Sequence, residues 1–208
     1  MVSALLSQAD RERVEAAIAD VERRTSLEIV VAVVARSGDY WQWRVLLSIC
    51  VALSAALALL EWAPRVPMLG VLFAQLPAGL LAFWASGMGW LHRLIVPKPL
   101  SLETVQAHAF RLFAQHGLHH TRDRTGLLIL VSELERRVTL LGDTAVHERV
   151  GGDGWQTHLD HLIARLREGR AADGILEIIA RVESALGTDF PVRPDDTNEL
   201  PNAVIEER

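Results

Sequence analysis

Two long charge-free stretches constrain this chain more than any other feature. From Val45 to Leu60 there is no charged residue and nothing more polar than serine or cysteine. From Val66 to Leu91 there is again no charge, and Gln75 is the most polar side chain. A hydrocarbon core roughly 30 Å thick takes about 20 residues of apolar helix. The second stretch has that length, and the first reaches it by extending toward Trp43 or Trp62. The competing reading, a pair of buried core helices, fits poorly with runs this long and this free of charge. Both runs follow the polar start "MVSALLSQADRER", so neither reads as a signal peptide.

The link "EWAPRVP" (Glu61 to Pro67) is too short for anything but an antiparallel hairpin. The flanking segments must then emerge on the same side. Arg36 and Arg44 precede the hairpin, Arg93 and Lys98 follow it, and the link carries only Arg65, beside Glu61. The positive-inside rule places both termini and the soluble domain in the cytoplasm, on a bacterial inner membrane. Tyr40, Trp41, Trp43 and Trp90 would mark one interface and Trp62 the other. Small residues recur every fourth position: Gly70, Ala74, Ala78, Ala82 and Ser86 on one span, Ser48, Ala52 and Ala56 on the other. Such a stripe lets helix backbones approach closely, as a tight hairpin or a homo-oligomer face; an alanine-rich composition would produce it too. Neither span carries a charge in its core, which gives a transporter or proton path little support.

The 208 residues leave room for one medium soluble domain. The net charge of −5 and the lack of a basic stripe argue against nucleic acid as a partner. Cys50 is the single cysteine, so no intramolecular disulfide can form.

The soluble sequence reads as one domain split by the hairpin. Ser7, with Asp10 three residues on, resembles a capping box. Val14, Ala17, Ile18 and Val21 then mark one helix face. "LEIVVAVVA" (27–35) is apolar and β-branched throughout, which predicts a strand covered on both faces. After "PKPLS", with Ser101 as N-cap, Val105, Ala109, Leu112 and Phe113 define a helix ending near Gly117. "TGLLILVS" (125–132) and "RVTLLGD" (137–143) are two more strands, spaced as a hairpin. Helices follow over about 154–167 and 172–186. Strand, helix, strand implies a parallel crossover. The expected fold is therefore α/β, a three-layer sandwich with a small mixed sheet, interrupted by a two-helix transmembrane hairpin. Its parts are 1–40 and 97–190 folding together, 41–96 as the hairpin, and 191–208 as an acidic extended tail. The tail "DFPVRPDDTNELPNAVIEER" carries three prolines and six acidic residues. Leu200, Val204 and Ile205 favour a strap docked on the domain or on a partner over a free solvated end.

This order of elements resembles the TPM domain family, whose members include thylakoid-lumen proteins and many bacterial membrane proteins. Glu22, Thr25, Ile29, Val31 and Val33 stand where the family has "E-x-x-T-x-x-x-I-x-V-x-V". "AHAFRLFAQHGL…RTGLLILVSELERRVTLLGD" is similar to its helix, apolar strand and arginine-containing hairpin. The resemblance covers 4–40 and 98–188. The hairpin and the "DDTNELPN" tail look like an uncharacterised membrane-bound subgroup. The resemblance implies links to phosphatase activity, calcium binding, or the assembly and upkeep of membrane complexes. The chain departs from the pattern at Glu133–Arg136, where the family has Asp-Arg. It departs again at Thr144 and His147, where a glycine and a glutamate would stand. Asp153 takes the place of a later acidic residue.

The densest polar stretch is "LGDTAVHERVGGDGWQTHLDHL" (141–162). His158 and His161 share a helix face. With His147 and Asp143 or Asp153 they form a mixed nitrogen and oxygen set of the kind zinc accepts. Against this, the stretch lacks His-x-x-x-His, and the histidines read equally as a solvated polar face. The candidate metal residues are Asp143, Asp153 and His147, for calcium or another divalent cation. The candidate partner surface is Glu148, Trp155, His158 and His161. "GGDG" (151–154) lacks the Lys-Ser/Thr of a phosphate loop and reads as a helix entry capped by Asp153. Two functions follow. One is a membrane-anchored, non-catalytic accessory or interaction module for a membrane-associated complex. The other is a metal-dependent phosphatase.

Overall fold

The computed structural model describes residues 6–150, 154–193, 195 and 198–207; at 148–150, 154–158, 161 and 167 it describes the backbone only. The chain forms two compact units, Met1–Ser37 with Leu102–Arg208, and Gly38–Ser101.

The first unit is built on a mixed sheet. Its strands are β1 (Glu28–Val34), β2 (Gly126–Ser132), β3 (Arg137–Gly142) and β4 (Ile205–Glu207), in spatial order β3-β2-β1-β4. β1 and β2 run parallel, from Glu28 opposite Gly126 to Val34 opposite Ser132. β3 returns antiparallel to β2, and β4 lies parallel to β1 with Ala32 opposite Ile205. The unbroken apolar runs in β1 and β2 follow from burial on both faces. Ile29, Val31, Val33, Leu127, Ile129 and Val131 enter one core. Val30, Ala32, Val34, Leu128 and Leu130 enter the other.

Helices cover both faces, which makes the expected three layers. On the first face lie α1 (Gln8–Glu22), α7 (Gly154–Arg167) and α8 (Ala171–Leu186). α1 opens with the expected capping box: Ser7 Oγ accepts from the Asp10 amide at 3.1 Å, and Asp10 Oδ2 accepts from the Ser7 amide at 3.4 Å. Val14, Ile18 and Val21 turn inward from it, and α8 buries Ile175, Ile178, Ile179, Val182 and Leu186. On the second face α5 (Lys98–Gln115) buries Val105, His108, Ala109 and Leu112, followed by a 3₁₀ turn at Leu118–His120.

Three local features refine the expected fold. α5 starts at Lys98, not after Ser101, because Pro99 falls in the first turn, where its missing N–H costs nothing. The segment after Asp143 adds a helix, α6 (Thr144–Val150), ahead of the two expected ones. The tail supplies β4 and so docks on its own domain.

The second unit is a helical hairpin. α2 (Trp41–Trp62) and α3 (Met68–Ala85) are both long and apolar enough to cross a membrane. α2 thus takes in both Trp43 and Trp62. The second apolar run is cut after Ala85, and a short α4 (Gly89–Ile95) follows. The stripe on α2 faces α3: Ser48 Oγ donates to the Gly79 carbonyl at 2.8 Å, and a Cβ on Gly79 would sit 3.4 Å from that of Ala52. The contact on α3 is made at Gly79, beside the expected Ala78. Leu53, Leu57, Phe73, Leu76 and Leu80 point outward and exposed. Arg44 closes the open end. Its guanidinium donates to the Phe83 carbonyl and to Ser86 Oγ, both at 3.2 Å, and lies 4.4 Å from the Phe83 ring centre. A cation at a helix C-terminus also complements the helix dipole.

Candidate functional site

The turn from β3 into α6 positions Asp143. Gly142 permits the turn to be tight, since a Cβ there would lie 2.8 Å from Val146 Cγ1. The Asp143 amide donates to the Gly126 carbonyl at 2.8 Å, which ties the turn to the start of β2. Gly126 is needed too, because a Cβ would fall 2.4 Å from the Leu118 carbonyl oxygen. Asp143 Oδ1 accepts from the Thr144 amide at 2.6 Å and from Thr144 Oγ1 at 3.1 Å, at the start of α6. Asp143 is only 8% exposed, and no hydrogen-bond donor among the described residues reaches its Oδ2. The guanidinium of Arg124 lies 3.7 Å from Oδ2. Arg124 holds φ at 58°, in the left-handed region, while donating to the His119 carbonyl at 2.8 Å.

Beside Asp143 opens a cleft of about 380 Å³, lined by Phe110, Phe113, Leu141, Asp143, Thr144 and His147. His147 follows Asp143 by four residues and is exposed at its rim. Of the expected metal set, Asp143 and His147 are thus brought to one cleft, and Asp153 lies outside the described residues. Glu148 sits on α6, and Trp155, His158 and His161 on α7; their side chains lie outside the described residues. Among the described residues no three of His, Cys, Asp and Glu gather around a common point. The bare oxygen of Asp143 and the imidazole of His147 offer two donors. Calcium takes six to eight oxygens and structural zinc four ligands. The described donors fit a cation only in part, and Arg124 already supplies positive charge there.

Two further polar groups escape a reading of the sequence. At the carboxyl ends of β1 and β2 a buried network joins Ser37, His108, Ser132 and Glu135. The Ser37 amide donates to Glu135 Oε1 at 3.1 Å, Ser37 Oγ donates to Ser132 Oγ at 2.8 Å, and Ser132 Oγ donates to Glu135. His108 Nδ1 lies 3.1 Å from the Ser37 carbonyl and its Nε2 lies 2.8 Å from Glu207 Oε2. The signal was present: His108 is set between Val105, Ala109 and Leu112, on the apolar face of α5.

The second group is Glu22 with Glu28. Glu22 Oε1 accepts the Ile29 amide at 3.0 Å and so ties the end of α1 to β1. Burial pushes the Glu22 carboxyl up to about 7; the Ile29 hydrogen bond opposes this, and the charge of Glu28 adds to it. Glu28 accepts the amides of Glu199 at 3.1 Å and Leu200 at 3.2 Å. Thr25 Oγ1 donates to the Val21 carbonyl at 2.9 Å. Glu22 and Thr25 of the "E-x-x-T" pattern thus secure the corner between α1 and β1.

Residues 93–185 match the family model described as the TPM domain. The earlier stretch 4–40 lies outside the matched residues. A solved structure, the NMR structure of the BA42 protein from the psychrophilic bacterium Bizionia argentinensis, aligns with 99% of this chain and 98% of its own at 18% identity. Its TM-score of 0.61 supports the same fold. No curated protein matches.

Proposed function

This chain carries a TPM domain over residues 93–185, and we propose that it serves as a membrane-anchored, non-catalytic accessory or interaction module for a membrane-associated complex. In this reading α2 and α3 cross the bacterial inner membrane. The arginines and Lys98 flanking the hairpin keep both termini and the α/β domain on the cytoplasmic side. The outward-facing leucines and phenylalanines of the hairpin meet lipid.

The state of Asp143 carries this reading. One of its oxygens accepts the Thr144 amide at the start of α6, and Arg124 stands 3.7 Å from the other. The chain spends this carboxylate largely on its own architecture. The cleft beside it, with Phe110 62% exposed at its edge and Phe113 and Leu141 in its lining, suits a protein side chain.

One observation favours a second reading, a metal-dependent phosphatase: Asp143 Oδ2 is buried and accepts no hydrogen bond from the described residues. A divalent cation such as calcium would satisfy it, with His147 beside it and Asp153 as the further acidic residue. A metal there would polarise a phosphoryl oxygen.

The two readings separate on the full-length protein in mild detergent. The accessory reading expects no phosphate-ester turnover with Ca²⁺, Mg²⁺ or Zn²⁺, and a defined protein complex that co-purifies and is lost when Phe110 is replaced by aspartate. Metal-dependent turnover that disappears in Asp143→Asn would establish the phosphatase instead.

A further inference from the structure

The tail is seated on the domain in an unusual way. Among the described residues from Asn198 to Glu207, none is fully buried. Leu200 and Ile205 touch one core and Val204 the other only at their margins. The seat is instead polar, and it reads the tail at both backbone and side chains. Glu28 takes the amides of Glu199 and Leu200, and Glu15 takes the amide of Val204 at 3.1 Å. The Ala35 amide donates to the Glu207 carbonyl at 2.9 Å. Arg11 pairs with Glu206 at 2.7 Å, Arg122 with Asp195 at 2.8 Å, and the Arg122 amide donates to Glu199 at 3.0 Å. His108 holds Glu207.

Such a seat is specific yet weakly held. Exposed ion pairs each contribute about 0–1 kcal/mol. Segments with few buried apolar contacts open at low free energy. The connection that must swing is short: the Ser26 amide still donates to the Phe190 carbonyl, and Thr25 pairs with Pro191. Beyond Pro191 the six residues to 197 can extend about 20 Å.

We propose that the β1 edge is a strand-docking groove whose occupant exchanges between copies, so that the tail of one molecule docks in parallel register on β1 of another. A second copy is the occupant the complementarity specifies, because its tail presents the same amides and carboxylates to the same partners. Exchange of an identical element needs no new surface. This goes beyond the accessory reading and does not depend on it, because a phosphatase could exchange its tail equally well.

The test uses full-length protein in detergent micelles with Cys50→Ser. Ala32 and Ile205 are register partners, and their substitution leaves the Arg11–Glu206 and His108–Glu207 pairs intact. One preparation carries Ala32→Cys and the other Ile205→Cys. After mixing and mild oxidation, a covalent heterodimer is expected, reduced at least fivefold when the donor also carries Glu206→Lys and Glu207→Lys. A double variant carrying both cysteines reports docking within one molecule. If it closes as a monomer while the mixture gives no heterodimer, the proposal is overturned. If the cysteine variants fail to fold, a labelled peptide of residues 194–208 is titrated onto the Ile205→Pro protein. Saturable binding abolished by the two lysines supports the groove, and no binding overturns it.

Discussion

His108 on α5 joins the main-chain carbonyl of Ser37 to the carboxylate of Glu207, at 3.1 and 2.8 Å. The imidazole thereby ties Ser37, which follows β1, to the strand β4 that pairs with β1. His108→Phe keeps the volume and loses both bonds. A buried hydrogen bond to a charged group contributes about 1.5–3 kcal/mol. Faster amide hydrogen exchange at Val204–Glu207, with exchange in α8 unchanged, is the expected result.

Glu22 gives a pH dependence whose sign can be worked out. Its carboxyl is raised in the folded state from 4.5 to about 7 by burial first and by Glu28 next. Below pH 4.5 both states hold the proton and the group is neutral in effect. Between 4.5 and about 7 the unfolded chain loses the proton first, so stability falls as pH rises. Above that the loss is constant. Glu22→Gln should therefore melt higher than the parent protein at pH 8, with the gap closing toward pH 4.5. A gap independent of pH would rule this account out.

Arg44 should be the least replaceable residue of the hairpin. It holds the last carbonyls of α3 and stacks on Phe83. Arg44→Lys keeps the charge but not the planar fork, so it should behave closer to Arg44→Ala than to the parent. A loss of about 1–3 kcal/mol in micelles is expected for either. Thermal unfolding followed by tryptophan fluorescence would measure it.

Asp143→Asn keeps the acceptor for the Thr144 amide, whereas Asp143→Ala removes it. The alanine variant should lose about 1 kcal/mol with that hydrogen bond, and the asparagine variant less. A calorimetric melt of both variants checks the order. The reverse order would mean that the charge at Oδ2, and not the hydrogen bond to Thr144, is what the fold needs.

Gly126→Ala should be among the most damaging small changes. Its Cβ would meet a backbone oxygen at 2.4 Å, and neither β2 nor the 3₁₀ turn can give way cheaply. Overpacking of this kind costs roughly 1–3 kcal/mol or more. Urea unfolding would register it.

The layers were legible because burial leaves a periodic mark. "EIVVAVV" and "GLLILVS" are apolar on both faces because each is packed on both faces, and α8 repeats Ile175, Ile178, Ile179 and Val182 on one side. β4 was not legible as a strand. Three residues, Ile-Glu-Glu, carry no period, and their pairing depends on Arg11 and His108 from distant elements. α6 left little mark in the sequence, since seven residues carry barely two turns of period. In the candidate site, Asp143 and His147 stood out by the chemistry of their side chains in one short polar stretch. The approach of Arg124 did not, since it depends on a left-handed backbone at that residue.

The sheet also sets a timetable for synthesis. β1 is made early, yet its neighbours β2 and β4 come 98 and 173 residues later, counting from Ala32 to Leu130 and to Ile205. At roughly 5–20 residues per second, the far edge of β1 stays open for on the order of ten seconds or more. All that while the strand "EIVVAVV" is a bare, sticky ribbon. A ribosome that stalls late would leave it so. This protein should therefore depend on a chaperone for its yield more than its modest size suggests, and truncation before Ile205 should appear first as aggregation in the cell.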